Sequence, residues 1–177
     1  MPAPSLVLEE KGSAALVQPR ALEPVFKAFG KSLSNSDRRL LERAYRFASA
    51  AHDGQVRASQ EPFVEHPLAV AAILAELRID PAAAAAGLLH DVLEDTDCTL
   101  DLIKDSFGEE IAALVDGVTK LAMIDRVAES QDNAETARDK SLLKMFLAAD
   151  ADLRVILIKL ADRLHNMQTL QFHKTED

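Results

Sequence analysis

From Ala21 onward, apolar positions recur at helical spacing. Leu40, Ala44, Phe47, Ala48 and Ala51 fall at i, i+4, i+7, i+8 and i+11, one face of a helix, with Ser36 as its expected cap. Val70, Ile73, Leu74 and Leu77 repeat the signal after His66-Pro67, where proline's fixed φ and missing N–H suit a first helical turn. Asp80-Pro81 opens a further helix through PAAAAAGLLHDV, expected to run to about Leu93. Alanine is the strongest helix former, and its small side chain lets neighbouring helices approach, so this run predicts a buried helix rather than low complexity. Helices are also predicted to start near Thr99 and Gly108, to span roughly Glu135 to Ala149, and to cover Leu153 to about Leu170, with Ile124 to Asn133 as a loop. The run VILI at Val155 to Ile158 is β-prone in isolation, but Leu153, Ile156, Leu157, Leu160, Leu164 and Met167 keep the helical period and decide for helix. Residues 1–20 carry no sustained period and predict a flexible arm. The reading is all-α, a single domain over residues 21–177, without internal repeat.

Composition narrows the class. Apolar residues make up 48% of the 177 and charged residues 28%, the balance of a soluble globular domain. No apolar run reaches the roughly 18–20 residues of a membrane span, and the first residues lack a basic segment followed by an apolar one, so a cytoplasmic location is expected. Cys98 is the single cysteine, which excludes an internal disulfide and a CxxC redox pair. A net charge of −9 argues against nucleic-acid binding by phosphate neutralisation. A small anionic substrate would need local help from a metal ion and a few placed arginines.

Candidate chemistry concentrates in three places. His90-Asp91-Val92-Leu93-Glu94-Asp95 packs one imidazole and three carboxylates into six residues, a density that is costly to bury unless a cation or solvent neutralises it. Adjacent residues do not normally face the same way on a helix, so His90 and Asp91 alone say little. Two further pieces add weight: EPFVEHP, with His66 just before a helix, and KLADRLHNM, where Asp162 and Asn166 lie one turn apart on a shared face. That face could equally be a solvent-facing stripe, with Lys159 and Arg163 beside it expected to be solvated. A metal ion is the economical way to neutralise a cluster such as His90 to Asp95.

The stretches AHDGQVRASQEPFVEHP, GLLHDVLEDT, VDGVTKL and RVILIKLADRLHNM together resemble the hydrolase domain of the RelA/SpoT homologues, within the HD superfamily, over about Leu40 to Leu170. The resemblance implies a compact helical bundle with a metal site between helices, whose ligands by motif position are His66, His90, Asp91 and Asp162; two nitrogens and two carboxylates suit Mn²⁺, the family's usual ion, or Fe²⁺, and admit Zn²⁺, and an open coordination position would lower the pKa of a bound water. It implies that Glu94 and Asp95 handle the attacking water, Glu94 being the better general base. Arg57 would stack on a guanine, with Ser59, Asn166 and Thr169 lining the nucleotide pocket; a loop hydroxyl or a helix-end residue explains Ser59 and Thr169 nearly as well. The loop departs from the family pattern at Ala58, where a basic residue is common, at Gln60, where Gly is usual, and at Phe63, where Tyr is usual. His52, His165 and His173 match no ligand position; His165 suits a role beside the ligands or in packing, and Cys98 a structural one. The activity implied is removal of the 3′-pyrophosphate of ppGpp or pppGpp; an excised part of a longer protein, with a synthetase domain following, is the expected context, and a stand-alone small hydrolase is the alternative. An HD phosphohydrolase acting on another nucleotide, and a nucleotide-binding regulatory domain without turnover, remain open.

Overall fold

A computed structural model of the chain describes residues 20–57, 60–129 and 152–169. A short helix, α1 (Glu23–Phe29), buries Val25, Phe26 and Phe29 and stops at Gly30, whose φ of 61° lies in the left-handed region open to glycine. The long α2 (Asn35–Ala51) is capped by Ser34 rather than by the expected Ser36. Ser34 has the extended backbone of a cap, its hydroxyl accepts from Asp37 N, and its own N–H is held by the Asp37 carboxylate. Ser36 already lies inside the helix. Helix α3 (Glu65–Glu76) begins as the His-Pro signal indicates.

The alanine run forms α4 (Pro81–Leu89), capped by Asp80, and every residue from Ala83 to Leu89 is buried. A helix apolar all round belongs at the centre, and α4 packs against α2, α3, α7 (Glu109–Glu129) and α8 (Leu153–Thr169). Gly87 makes this closeness possible, since a β-carbon there would stand 2.8 Å from Leu74 Cδ1. The helix is shorter than the sequence suggests. It ends at Leu89, and after a turn at His90-Asp91 a four-residue helix, α5 (Val92–Asp95), follows. The His90 imidazole Nδ1 bonds the Gly87 carbonyl at 2.8 Å and so competes for an acceptor that would close the next helical turn.

Thr99 caps α6 (Leu100–Phe107), and Gly108, at φ 88°, separates it from α7. Helix α7 runs through Glu129, so the segment predicted as a loop is helical at least over Ile124 to Glu129. Nothing there breaks a helix: it holds neither Gly nor Pro, and extending an existing helix needs no new nucleus. The rest of that loop, the helix predicted from Glu135 to Ala149 and the arm over residues 1–19 lie outside the described residues.

Helix α8 buries Val155, Ile158, Ala161 and Asp162, while Leu153, Leu160, Leu164 and Met167 stand exposed. The periodic leucine stripe is thus not its core face. Small and β-branched residues fit better against α7, where a β-carbon on Gly117 would come within 2.8 Å of Val155 Cγ2. The start of α8 is held by Arg154, which pairs with Asp152 at 2.6 Å, Glu110 at 2.7 Å and Asp80 at 3.2 Å, joining it to the first residues of α7 and the cap of α4. The described residues contain no strand, and no helix among them is long and apolar enough to cross a membrane.

Candidate functional site

Three elements deliver four side chains to one buried point. His66 comes from the first turn of α3, His90 and Asp91 from the turn after α4, and Asp162 from the middle of α8. His66 Nε2 lies 3.1 Å from Asp162 Oδ1 and 3.7 Å from Asp91 Oδ2. His90 Nε2 lies 3.0 Å from Asp91 Oδ1 and 3.9 Å from Asp162 Oδ1. His90 and Asp91 stand in the turn between α4 and α5, where the imidazole of one meets the carboxylate of the other.

Next to this cluster, Glu94 and Asp95 line a cavity of about 420 Å³ with Ala51, Gln55, Thr96 and Asp97. Their turn is tight: the N–H groups of Glu94 and Asp95 both reach the Asp91 carbonyl, and the Thr96 hydroxyl donates to the Val92 carbonyl at 2.6 Å. On the other side, Arg57 Nη2 donates to Asn166 Oδ1 at 2.8 Å, and Asn166 Nδ2 donates to Asp162 Oδ1 at 2.7 Å. The arginine is thereby tied to the buried carboxylate through one amide. Gln60 has a φ of 66°, the left-handed conformation that costs a side-chain-bearing residue about 1–2 kcal/mol. This accounts for glycine being usual at that position.

The HD-domain family profile matches residues 44–177. The chain belongs to the HD-domain family. Within it, the relatives are RelA/SpoT homologues. A GTP pyrophosphokinase of Streptomyces antibioticus is 46% identical over 158 residues, 88% of this chain and 18% of that protein. A probable guanosine-3′,5′-bis(diphosphate) 3′-pyrophosphohydrolase of Synechocystis sp. is 50% identical over 131 residues, 74% of this chain and 17% of that protein. The chain therefore spans less than a fifth of the length of these curated relatives. Among solved structures, a metazoan orthologue of SpoT, described as hydrolysing ppGpp and playing a role in starvation responses, is 31% identical with a TM-score of 0.56, covering 75% of this chain and 70% of that one.

HD domains imply a divalent cation, and the residues present fit one. His66, His90 and Asp162 offer ligand atoms within 4.8 Å of one another. His90 Nε2 is buried and finds no aligned hydrogen-bond partner among the described residues, as expected of an atom kept for something else. With its Nδ1–H on the Gly87 carbonyl, His90 is held in the tautomer that leaves Nε2 free to coordinate.

The electrostatics of this HD site are those of a cluster built around positive charge. Burial works against a charged His90, but Asp91 and Asp162 override it and push its pKa up to about 9. Burial likewise acts to raise Asp162, and the bond from His66 with the charges of His90 and Lys159 brings it well below the usual carboxylate range. For His66 burial wins, and its pKa falls below the ordinary value. In the cation-free protein a raised His90 stabilises the fold fully below its ordinary 6.5, and this contribution is lost as pH rises through about 9. Thermal melts of chelated protein are therefore expected to fall between those two values. Saturation with a divalent ion, which displaces that proton, should flatten the profile; an equally steep fall with the ion bound would contradict this.

Two further residues touch the HD site, Lys159, which sequence reasoning left to solvent, and His165, for which it expected a role beside the ligands or in packing. Lys159, expected to be solvated, has a side chain only 18% exposed and donates to Asp162 Oδ2 at 2.8 Å. His165 Nδ1 lies 2.7 Å from His66 Nδ1. Both signals were present as i+3 spacings to and from Asp162. Thr169 is less connected: its hydroxyl bonds the His165 and Asn166 carbonyls of its own helix. Ser59 and His173 lie outside the described residues. Cys98 is buried and free, its thiol pushed up by burial, and it is far from the reactive pattern expected of a thiolate.

Proposed function

We propose that residues 21–177 form a hydrolase domain that removes the 3′-pyrophosphate of ppGpp or pppGpp, yielding GDP or GTP and pyrophosphate. The observation that carries this reading is the convergence of His66, His90, Asp91 and Asp162 beside the turn bearing Glu94 and Asp95. In it, His66, His90, Asp91 and Asp162 hold one divalent ion, Mn²⁺ by family habit. When bound, the ion polarises the 3′-phosphoryl group and lowers the pKa of the attacking water. Glu94, assisted by Asp95, would take the water's proton as the water oxygen bonds to the 3′-linked phosphorus; the bond from that phosphorus to the 3′-oxygen breaks, the 3′-oxygen takes up a proton as the nucleotide's free hydroxyl, and pyrophosphate is released. Lys159 and Asn166 fix the Asp162 carboxylate from both oxygens. With His66 Nε2 used as a ligand, its proton sits on Nδ1 and His165 Nδ1 is the acceptor that orients the ring.

Arg57 supplies a planar, permanently charged face for the guanine base, with Asn166 steadying it and Ser59 and Thr169 completing the pocket. Stacking persists from bound substrate to transition state, so Arg57→Ala is expected to raise KM more than it lowers kcat. The loss should amount to about 0.5–2 kcal/mol of binding, read from steady-state kinetics. An unchanged KM would make Arg57 a purely structural partner of Asn166.

The reading extends to context: a cytoplasmic protein acting in the stringent response, with a synthetase domain following this one. The deciding experiment incubates metal-free protein with ppGpp and each divalent ion in turn, measuring pyrophosphate release. Release with Mn²⁺ alone or best supports the proposal. No release with any ion, alongside intact nucleotide binding, would favour a regulatory domain.

A further inference from the structure

We propose that His52 and Gln55 are a positioning pair that sets the orientation of the Glu94-Asp95 turn. The inference rests on the reading of Glu94 and Asp95 as the residues that handle water. Gln55 Nε2 donates to the main-chain carbonyl of Asp95 at 3.0 Å, across 40 positions of sequence. That carbonyl ends a four-residue helix, where the last carbonyls have no helical partner of their own. Gln55 therefore links the turn to the end of α2 while forming, with Ala51, part of the cavity wall that Glu94 and Asp95 share.

The amide orientation is not free. A carbonyl only accepts, so the NH₂ end of Gln55 faces Asp95 and its Oε1 faces His52 Nδ1, 2.9 Å away. Oε1 only accepts, so His52 carries its proton on Nδ1. This tautomer leaves His52 Nε2 as a buried acceptor without a partner among the described residues. A buried polar atom left so is costly, and an arrangement that tolerates it points to what the other nitrogen does. The ring, 3% exposed, is stacked on Phe63 with centroids 4.2 Å apart and planes at 21°. The backbone closes the assembly, with Gln55 N on the His52 carbonyl at 3.0 Å and Phe63 N on the Gln55 carbonyl at 3.1 Å. Stacking fixes the imidazole, the imidazole fixes the amide, and the amide fixes the turn. The side-chain contacts of the pair run to Phe63 and to the Asp95 carbonyl, so it is a positioning device rather than part of the metal site.

The test uses Gln55→Leu, which removes both ends of the amide, and Gln55→Glu, which keeps an acceptor for His52 but cannot donate to the Asp95 carbonyl. Both are compared with wild type for ppGpp turnover at saturating Mn²⁺, for Mn²⁺ affinity by calorimetry, and for amide hydrogen exchange at Glu94 to Thr96. Misplacement of a reacting group by about 1 Å costs up to about 100-fold, so kcat is expected to fall about 10- to 100-fold in both variants. KM and Mn²⁺ affinity should stay within about twofold of wild type, with faster exchange confined to the turn. His52→Phe, which keeps the stack and loses the Nδ1 donor, should fall between wild type and Gln55→Leu. Wild-type kcat in both Gln55 variants overturns the proposal, as does a loss of Mn²⁺ affinity equal to the loss of kcat. If wild type itself releases no pyrophosphate, the hydrolase reading fails; the exchange data then decide alone, and unchanged protection at Glu94 to Thr96 overturns the pair.

Discussion

Replacing Glu94 by glutamine is expected to lower turnover of ppGpp about 10²- to 10⁴-fold, the usual cost of losing a general base. The side chain keeps its size and hydrogen-bonding shape, so the cavity it lines with Asp95 and Gln55 stays built. On the proposed reading, what would disappear is the basic oxygen that accepts the water's proton. Glu94 stands on α5, beyond the turn that presents His90 and Asp91, and lines the cavity, while the compact group of possible ligand atoms is His66, His90 and Asp162. Metal content and nucleotide affinity should therefore remain near wild type. Calorimetric binding measured beside turnover separates the roles: loss of the ion would make Glu94 a ligand, and normal turnover would move the base to Asp95.

His66→Ala and Asp162→Asn are each expected to abolish metal retention and hydrolysis together. On the proposed ligand set, removing one of four donors would leave the ion poorly held, because its affinity depends on a complete set. Asp162 is the more central of the two. Its side chain is 7% exposed, lies 3.1 Å from His66 Nε2 and accepts from Asn166 Nδ2 at one oxygen and Lys159 Nζ at the other, so a carboxamide, with its single acceptor oxygen, leaves one of those two donors unmatched. Elemental analysis of the purified variants is the measurement. A full complement of one tightly held ion in both would remove these residues from the ligand set.

Much of this arrangement is legible in the sequence, for identifiable reasons. Helices α3, α6 and α8 begin where Pro, Thr99 and the helical period indicate, because caps and prolines act locally. The spacing of Asp162 and Asn166 correctly signals a shared face, and that face points inward. Periodicity, though, says which residues share a face and not what the face meets. Lys159 reads as solvated for that reason, and the leucines of α8 resemble a core stripe while the buried side is Val155, Ile158 and Ala161. The end of α4 at Leu89 is set by a side-chain bond from His90 to Gly87, a competition that helix propensity does not register. The cap at Ser34 rather than Ser36 is a choice between two similar residues two positions apart, decided by Asp37.

The close passage of α7 and α8 at Gly117 has a bearing on how this domain tolerates change. Exchanging a helical glycine for alanine ordinarily stabilises by roughly 1 kcal/mol, which makes such positions attractive in any search for a hardier protein. At Gly117 the added methyl would lie 2.8 Å from Val155 Cγ2, a short branched side chain that cannot swing aside, so α8 itself must give way. Val155 is seven residues, or two turns, from Asp162 on the same buried side of that helix. A missing methyl group between α7 and α8 thus bears on how deep a carboxylate sits about 10 Å further along.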